Sequence, residues 1–256
     1  MNVSLDLSLA TAYKNQAQIA RVLTETWVLQ NMFCPKCGNA HIHRFENNRP
    51  VADFYCKVCN SEFELKSKNG SFGHTIADGA YDTMISRISS NRNPDFMFMN
   101  YSMTPASVTD LLFIPKHFLT PAIIQKRRPL SSTARRAGWI GCNILFGKIP
   151  KQGQIPIVIN GVAQRKEDTL RLVQRALLLQ KNDMESRGWL FDVLNCVNEI
   201  SNVDFTLNDI YQYEYSLQTL HPYNSNIRAK IRQQLQLLRD AGYIDFVKKG
   251  HYRKVD

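Results

Sequence analysis

The sequence predicts two folded units: a mixed α/β domain built around a cysteine-rich knuckle, then a smaller domain of three helices and a hairpin. Three observations lead there. Alternating polar and apolar stretches share the first two-thirds of the chain with helical ones. Four of the six cysteines, Cys34, Cys37, Cys56 and Cys59, fall in two C-x-x-C pairs. Beyond residue 182 helical periodicity takes over, closing on a short hairpin pattern.

Residues 8–30 read as a helix, with Leu9, Tyr13, Ile19, Val22 and Leu23 at roughly helical spacing. The cysteine-rich block 33–60 reads as irregular. Residues 51–55 and 62–68 alternate and read as strands. A helix is expected over 74–90, apolar strands over 96–101, 111–114 and 155–159, and a helix over 167–180. With a boundary between 181 and 182, the second unit holds helices at 187–200, 207–219 and 225–241. Strands at 243–248 and 252–255 flank Lys249-Gly250-His251. Helix–helix–helix–hairpin is the order of a winged helix-turn-helix, a DNA reader.

Hydrophobic content of 44% supports a packed core, and the net charge of +10 favours an anionic partner, nucleic acid or a membrane surface. The opening MNVSLDLSLA has no basic n-region, and no apolar run is long enough to span a bilayer. The expectation is a cytoplasmic monomer without a membrane partner. No G-x-x-x-x-G-K-[ST] loop is present, which argues against a nucleotide-driven motor. The charge is uneven. Between Asp110 and Glu167 there is no acidic residue, while Lys126, Arg127, Arg128, Arg135, Arg136 and other cations crowd that window. In the second unit, 183–222 is acidic and 223–256 basic, so the positive charge sits on the third helix and hairpin. There Arg228, Lys230, Arg232, Lys248, Lys249, Arg253 and Lys254 are placed to meet phosphates.

The two C-x-x-C turns stand 18 residues apart. Two thiolates on each tight turn complete a tetrahedron of sulfurs around Zn²⁺. Four thiolates leave no position for water, so a structural zinc is expected rather than a catalytic one. Two disulfides are the other pairing, which a reducing compartment disfavours. Cys142 and Cys196 stand singly among apolar residues and read as buried hydrophobes.

Asp53 lies on the first of the paired strands and Glu64-Leu65-Lys66 on the second. Alternation puts Glu64 and Lys66 on one face. If the strands pair, Asp53 approaches Glu64, and two carboxylates with the Leu65 carbonyl form a hard oxygen site for Mg²⁺. Lys66 would position the attacking water or offset charge on a phosphate. The bland reading is a solvated strand face. A regulator made of a zinc ribbon and a winged helix would have no use for this D…E-x-K constellation. Arg135 and Arg136 beside Trp139 suit phosphates and a base contact, unless Trp139 is ordinary core. Ser225, Asn226, Arg228, Lys230 and Arg232 near the start of the third tail helix face a major groove, or are simply a solvated helix face.

Four runs carry a resemblance: Glu46-Asn47-Asn48-Arg49-Pro50-Val51-Ala52-Asp53-Phe54-Tyr55-Cys56, Phe63-Glu64-Leu65-Lys66-Ser67-Lys68, Thr133-Ala134-Arg135-Arg136-Ala137-Gly138-Trp139-Ile140-Gly141-Cys142-Asn143 and Lys230-Ile231-Arg232-Gln233-Gln234-Leu235. They closely resemble the DpnI-like methyl-directed (type IIM) restriction endonucleases, over nearly the whole chain. The resemblance implies an α/β PD-(D/E)xK nuclease domain with a zinc knuckle, followed by a winged helix. It implies cleavage of double-stranded DNA at GATC sites carrying N6-methyladenine. Carried over, Asp53, Glu64 and Lys66 are catalytic, and Cys34, Cys37, Cys56 and Cys59 hold zinc. The family usually has Pro before the aspartate, where Ala52 stands here.

Overall fold

Asp95-Phe96-Met97-Phe98-Met99 is an almost unbroken apolar run, the signature of a strand covered on both faces. In the computed structural model, which describes residues 1–46, 52–90, 92–181 and 183–255, that run is the centre of a seven-stranded mixed sheet. In chain order, the first domain comprises α1 (Gln16–Asn31), β1 (His43–Arg44), β2 (Phe54–Tyr55), β3 (Glu62–Asn69), β4 (Ile76–Ala80), α2 (Tyr81–Ser89), β5 (Asp95–Met103) and β6 (Ala106–Ile114). It continues with β7 (Ile124–Lys126), β8 (Gly141–Ile144), β9 (Ile155–Ile159), β10 (Val162–Ala163) and α3 (Lys166–Leu177). The large sheet has the order β1-β2-β3-β5-β6-β9-β10, with β3 and β5 parallel and the other neighbours antiparallel.

The helix expected over 8–30 starts at Gln16. Asn15 accepts the N–H groups of Ala17 and Gln18 and so fixes the start, while Asp6 caps a separate 3-10 turn at Leu7–Ala10. α1 packs on one face of β3, where Thr24 Oγ1 and Ser67 Oγ are 3.2 Å apart. Ser67 shares that face with Phe63 and Leu65, which leaves Glu64 and Lys66 on the opposite one.

The helix expected over 74–90 is half strand. Ile76–Ala80 pairs with β8, and only Tyr81–Ser89 is helical. β4, β8 and β7 form a small antiparallel sheet of their own. This sheet is missing from the sequence reading because β7 and β8 have three and four residues, too few to display a period. The first strand was expected from Val51. That residue, like Asn47–Pro50 in the quoted run, lies outside the described residues.

The second domain comprises α4 (Met184–Glu199), β11 (Asp204–Thr206), α5 (Leu207–Tyr211), α6 (Glu214–Leu220), α7 (Ile227–Asp240), β12 (Ile244–Lys248) and β13 (His251–Lys254). The single helix expected over 207–219 is two, broken at Gln212 and Tyr213. Thr206 and Asp209 close a capping box at the start of α5. The expected hairpin gains a third strand, β11, giving the order β11-β13-β12. Asn182, at the expected boundary, lies outside the described residues.

The two domains share apolar packing. Phe118 stacks on Phe191 of α4 with centroids 4.6 Å apart. Arg175 of α3 donates to the carbonyls of Gly242 and Val255 at 2.8 and 2.6 Å and lies over the Tyr243 ring. The side-chain amides of Gln152 and Asn198 pair reciprocally at 2.9 and 3.0 Å.

Candidate active site and zinc centre

Phe54 faces Phe63 and Tyr55 faces Glu62 across the antiparallel β2–β3 pair, a register that brings Asp53 opposite Glu64. Asp53 was expected on the strand; it sits one residue before it. Its backbone is pinned all the same, donating to Phe63 O at 2.9 Å and accepting from Phe45 N at 3.0 Å. Its Oδ2 accepts the N–H of Leu65 at 2.7 Å. A strand residue sends its N–H and C=O to the same side. The Leu65 carbonyl is therefore directed to the side where the Asp53 carboxylate lies.

Glu64 and Lys66 share a face with their β5 neighbours Phe96 and Phe98. Lys66 Nζ lies 2.5 Å from Glu64 Oε1 and in contact with Asp78 Oδ1. The structure thus brings the three expected residues together and adds Asp78, whose side chain is 6% exposed. The sequence reading had Asp78 within a helix. It stands on β4 where the register with β8 slips between Asp78 and Ala80, a bulge that re-aims the side chain. The Asp78-Gly79 pair was the available signal, since that dipeptide disfavours a helix interior.

Burial pushes the Glu64 carboxyl up to about 7; Lys66 opposes this while Asp78 and Asp53 add to it. Burial raises Asp53 too, partly offset by the Leu65 N–H and by Lys66, Arg44 and Arg21. For Lys66, burial pulls downward, but Glu64 and Asp78 outweigh it and hold the ammonium above its ordinary value. Three carboxylates around one ammonium leave excess negative charge in a shielded site, and Asp78 Oδ2 is buried with no hydrogen-bond partner among the described residues. The oxygens of Asp53 and Glu64, with the Leu65 carbonyl, make a hard set that fits a divalent cation of the Mg²⁺ class.

The four cysteines meet beside this hairpin. Their sulfurs all lie within 4.8 Å of one another, with Cys34–Cys59 at 3.5 Å and Cys37–Cys56 at 3.6 Å. A tetrahedron with Zn–S of about 2.3 Å needs sulfurs about 3.8 Å apart, whereas a disulfide needs about 2.05 Å. The geometry suits zinc, and all four thiols are free. The two knuckles are built alike. Cys34 N donates to Asn39 O and Gly38 N to Cys34 O; Cys56 N donates to Ser61 O and Asn60 N to Cys56 O. Both turns need a left-handed residue, Gly38 at φ 75 and Asn60 at φ 56, a conformation open to glycine and tolerated by asparagine. The second knuckle joins β2 to β3, so it closes the hairpin that carries Asp53 and Glu64.

Comparison with known families gives two matches. Residues 1–182 match DpnI, the Dam-replacing family, and residues 185–254 match the Dam-replacing HTH domain. The chain belongs to the Dam-replacing family. It is a DpnI-like methyl-directed restriction endonuclease with a DNA-binding helix-turn-helix domain at its C-terminal end. The expected fold class stands: a mixed-sheet domain with a four-cysteine cluster, then a helical HTH domain. Among the described residues no helix is long and apolar enough to cross a membrane.

In this Dam-replacing protein the basic loop 127–140 joins β7 to β8, and so leaves the small sheet that carries Asp78. Arg135 and Arg136 are exposed on it. Trp139 is half-buried and outside the apolar core, with the Arg136 guanidinium over its ring at 4.7 Å. The ring also lies close to Gly141, where a Cβ would meet it at 2.8 Å. On α7 the buried face is Ile227, Ile231, Gln234, Leu235 and Leu238. Ser225 and Asn226 are exposed just before it. Arg228 is paired with Glu214 at 2.8 Å, Arg232 donates to the Tyr211 hydroxyl at 2.8 Å, and Lys230 lies over the Trp189 ring. In the wing, Lys248 and Lys249 are exposed, whereas Arg253 pairs with Asp204 and Lys254 reaches the Ile200 carbonyl.

Proposed function

We propose that this family member is a type II enzyme that cleaves double-stranded DNA at GATC sites containing N6-methyladenine, by Mg²⁺-dependent phosphodiester hydrolysis. The observation that supports it most is the convergence of Asp53, Glu64 and Lys66 on a hairpin closed by the four-cysteine cluster. Asp53, Glu64 and the Leu65 carbonyl would hold the Mg²⁺. Bound there, the ion would polarise the phosphodiester and acidify a water. Asp53 and Glu64 would offer carboxylate oxygens to the ion, and the Leu65 N–H, bonded to Asp53 Oδ2, would keep that carboxylate in place. Lys66 brings a fixed positive charge to the phosphate that gains negative charge during attack.

The methylated target rests on the resemblance of the four runs quoted above. An adenine N6-methyl group projects into the major groove, where it offers a small apolar surface. Burying one methyl contributes roughly 0.8 kcal/mol, too little for strict discrimination. Two methyls and two readers multiply the term. The candidate readers are Arg135, Arg136 and Trp139 in the first domain, and Ser225, Asn226, Arg228, Lys230 and Arg232 in the second. The domain division at 181/182 belongs to the same proposal.

The test is a plasmid incubated with Mg²⁺ in methylated and unmethylated forms. Cleavage of the methylated form alone is expected. Asp53→Ala, Glu64→Ala and Lys66→Ala should each abolish it while binding to the same DNA in EDTA persists. Full cutting by Asp53→Ala sinks the site assignment.

A further inference from the structure

We propose that Asp78 is a positioning residue for Lys66: it is the anchor that keeps the ammonium in place when Glu64 turns its oxygens to a cation. The inference rests on the active site proposed above, and three observations carry it.

First, Lys66 bridges two carboxylates, Glu64 and Asp78. An oxygen of Glu64 that binds a divalent cation is no longer a strong acceptor for an ammonium, and the two cations repel. With Glu64 as its sole partner, Lys66 would lose its hold at the moment its charge is needed. Asp78 approaches from a different sheet and is not bound to follow Glu64.

Second, the approach of Asp78 is built in. The β4–β8 register slips between Asp78 and Ala80, and Gly79 N donates to Asp78 Oδ1 at 2.6 Å. The Cys142 thiol donates to Gly79 O at 3.5 Å, so the partner strand holds the bulge in shape. A regular β4 would have no such kink to turn the carboxylate.

Third, Asp78 Oδ2 is buried and has no hydrogen-bond partner among the described residues. An unpartnered buried carboxylate oxygen is costly in a merely structural ion pair.

The experiment compares Asp78→Asn, Asp78→Glu and Glu64→Gln in the full-length protein. Single-turnover cleavage of a methylated duplex, the dissociation constant for that duplex in EDTA, and thermal unfolding are measured for each. Asp78→Asn keeps the shape and loses the charge. Its cleavage rate constant should fall roughly 10–100-fold, the usual cost of losing a partner that orients a site group. Its DNA affinity and unfolding temperature should stay at parental values, and Asp78→Glu should recover part of the rate. Saturating Mg²⁺ should not restore Asp78→Asn. Restoration by Mg²⁺ would make Asp78 a metal ligand and overturn the positioning role. A parental rate in Asp78→Asn, or a rate loss matched by loss of affinity or stability, overturns it too. Glu64→Gln separates the two proposals: if it is inactive while Asp78→Asn cuts normally, the Asp78 inference alone fails; if it cuts normally, the active site itself is wrong.

Discussion

Cys56→Ser offers the sharpest test of how the metal knuckle serves the chemistry. Cys56 is fully buried and stands one residue after β2, and the second knuckle is the link from β2 to β3. Binding of a structural Zn²⁺ supplies about 10–16 kcal/mol in small zinc domains, or about 2.5–4 kcal/mol per ligand when shared evenly over four. A whole domain is stable by only about 5–15 kcal/mol. Losing one ligand therefore leaves the first domain marginal, and losing the metal unfolds at least the hairpin. β2 has two residues, so the knuckle is the main tie on the register that sets Asp53 on the Leu65 N–H, beside the backbone bonds of Asp53 to Phe63 and Phe45. The expected outcome is a zinc content near zero in Cys56→Ser, a fall in stability of about 2.5–4 kcal/mol or more, and loss of cleavage. The assay pairs elemental analysis with denaturant unfolding and plasmid cleavage. A parallel arm strips the parent protein with a strong chelator, then adds back Mg²⁺ alone or Mg²⁺ with Zn²⁺. Only the second addition should restore cutting. Freshly purified protein without zinc, or a Cys56→Ser variant that cuts normally at parental stability, would refute the reasoning.

Two further outcomes follow from the domain contacts and the wing. Arg175→Ala removes two charge-assisted hydrogen bonds and a ring contact across the domain interface. Because Arg175 is half-exposed, the low end of the usual range applies, about 2 kcal/mol, which at this chain length is roughly 4–8 °C in thermal midpoint; an unchanged midpoint would show that the latch contributes nothing. Replacing Lys248 and Lys249 together by Ala should weaken binding equally for methylated and unmethylated duplex and lower the slope of log affinity against log salt by about 1.8, near 0.9 per phosphate contact. A loss confined to methylated DNA would make the wing a reader rather than a clamp.

Much of the site was legible in the sequence because it depends on short-range spacing. A C-x-x-C turn brings two sulfurs together by local geometry, and strand alternation puts Glu64 and Lys66 on one face whatever the partner strand is. Periodicity gave the long elements, β3, β5 and α7, within a few residues. It failed on short ones. Residues 76–80 read as the start of a helix, yet pairing with β8, more than sixty residues later, made them a strand. Similarly, Asn15 set a helix start that apolar spacing alone did not reveal, whereas the Thr206–Asp209 box opens α5 at the expected residue 207.

By itself, then, the amino-acid sequence determined the four-cysteine set, the placing of Glu64 and Lys66 on one strand face with Asp53 upstream, the helix-turn-helix order and the basic, acid-free segment. Each is a property of neighbours in the chain. The tertiary structure alone decided that Asp53 is held by the Leu65 N–H, that Asp78 enters the cluster through a bulge, and that Arg175 latches the two domains. Those depend on pairings between distant segments, whose closure is won by burial of the whole core and leaves no local period to read.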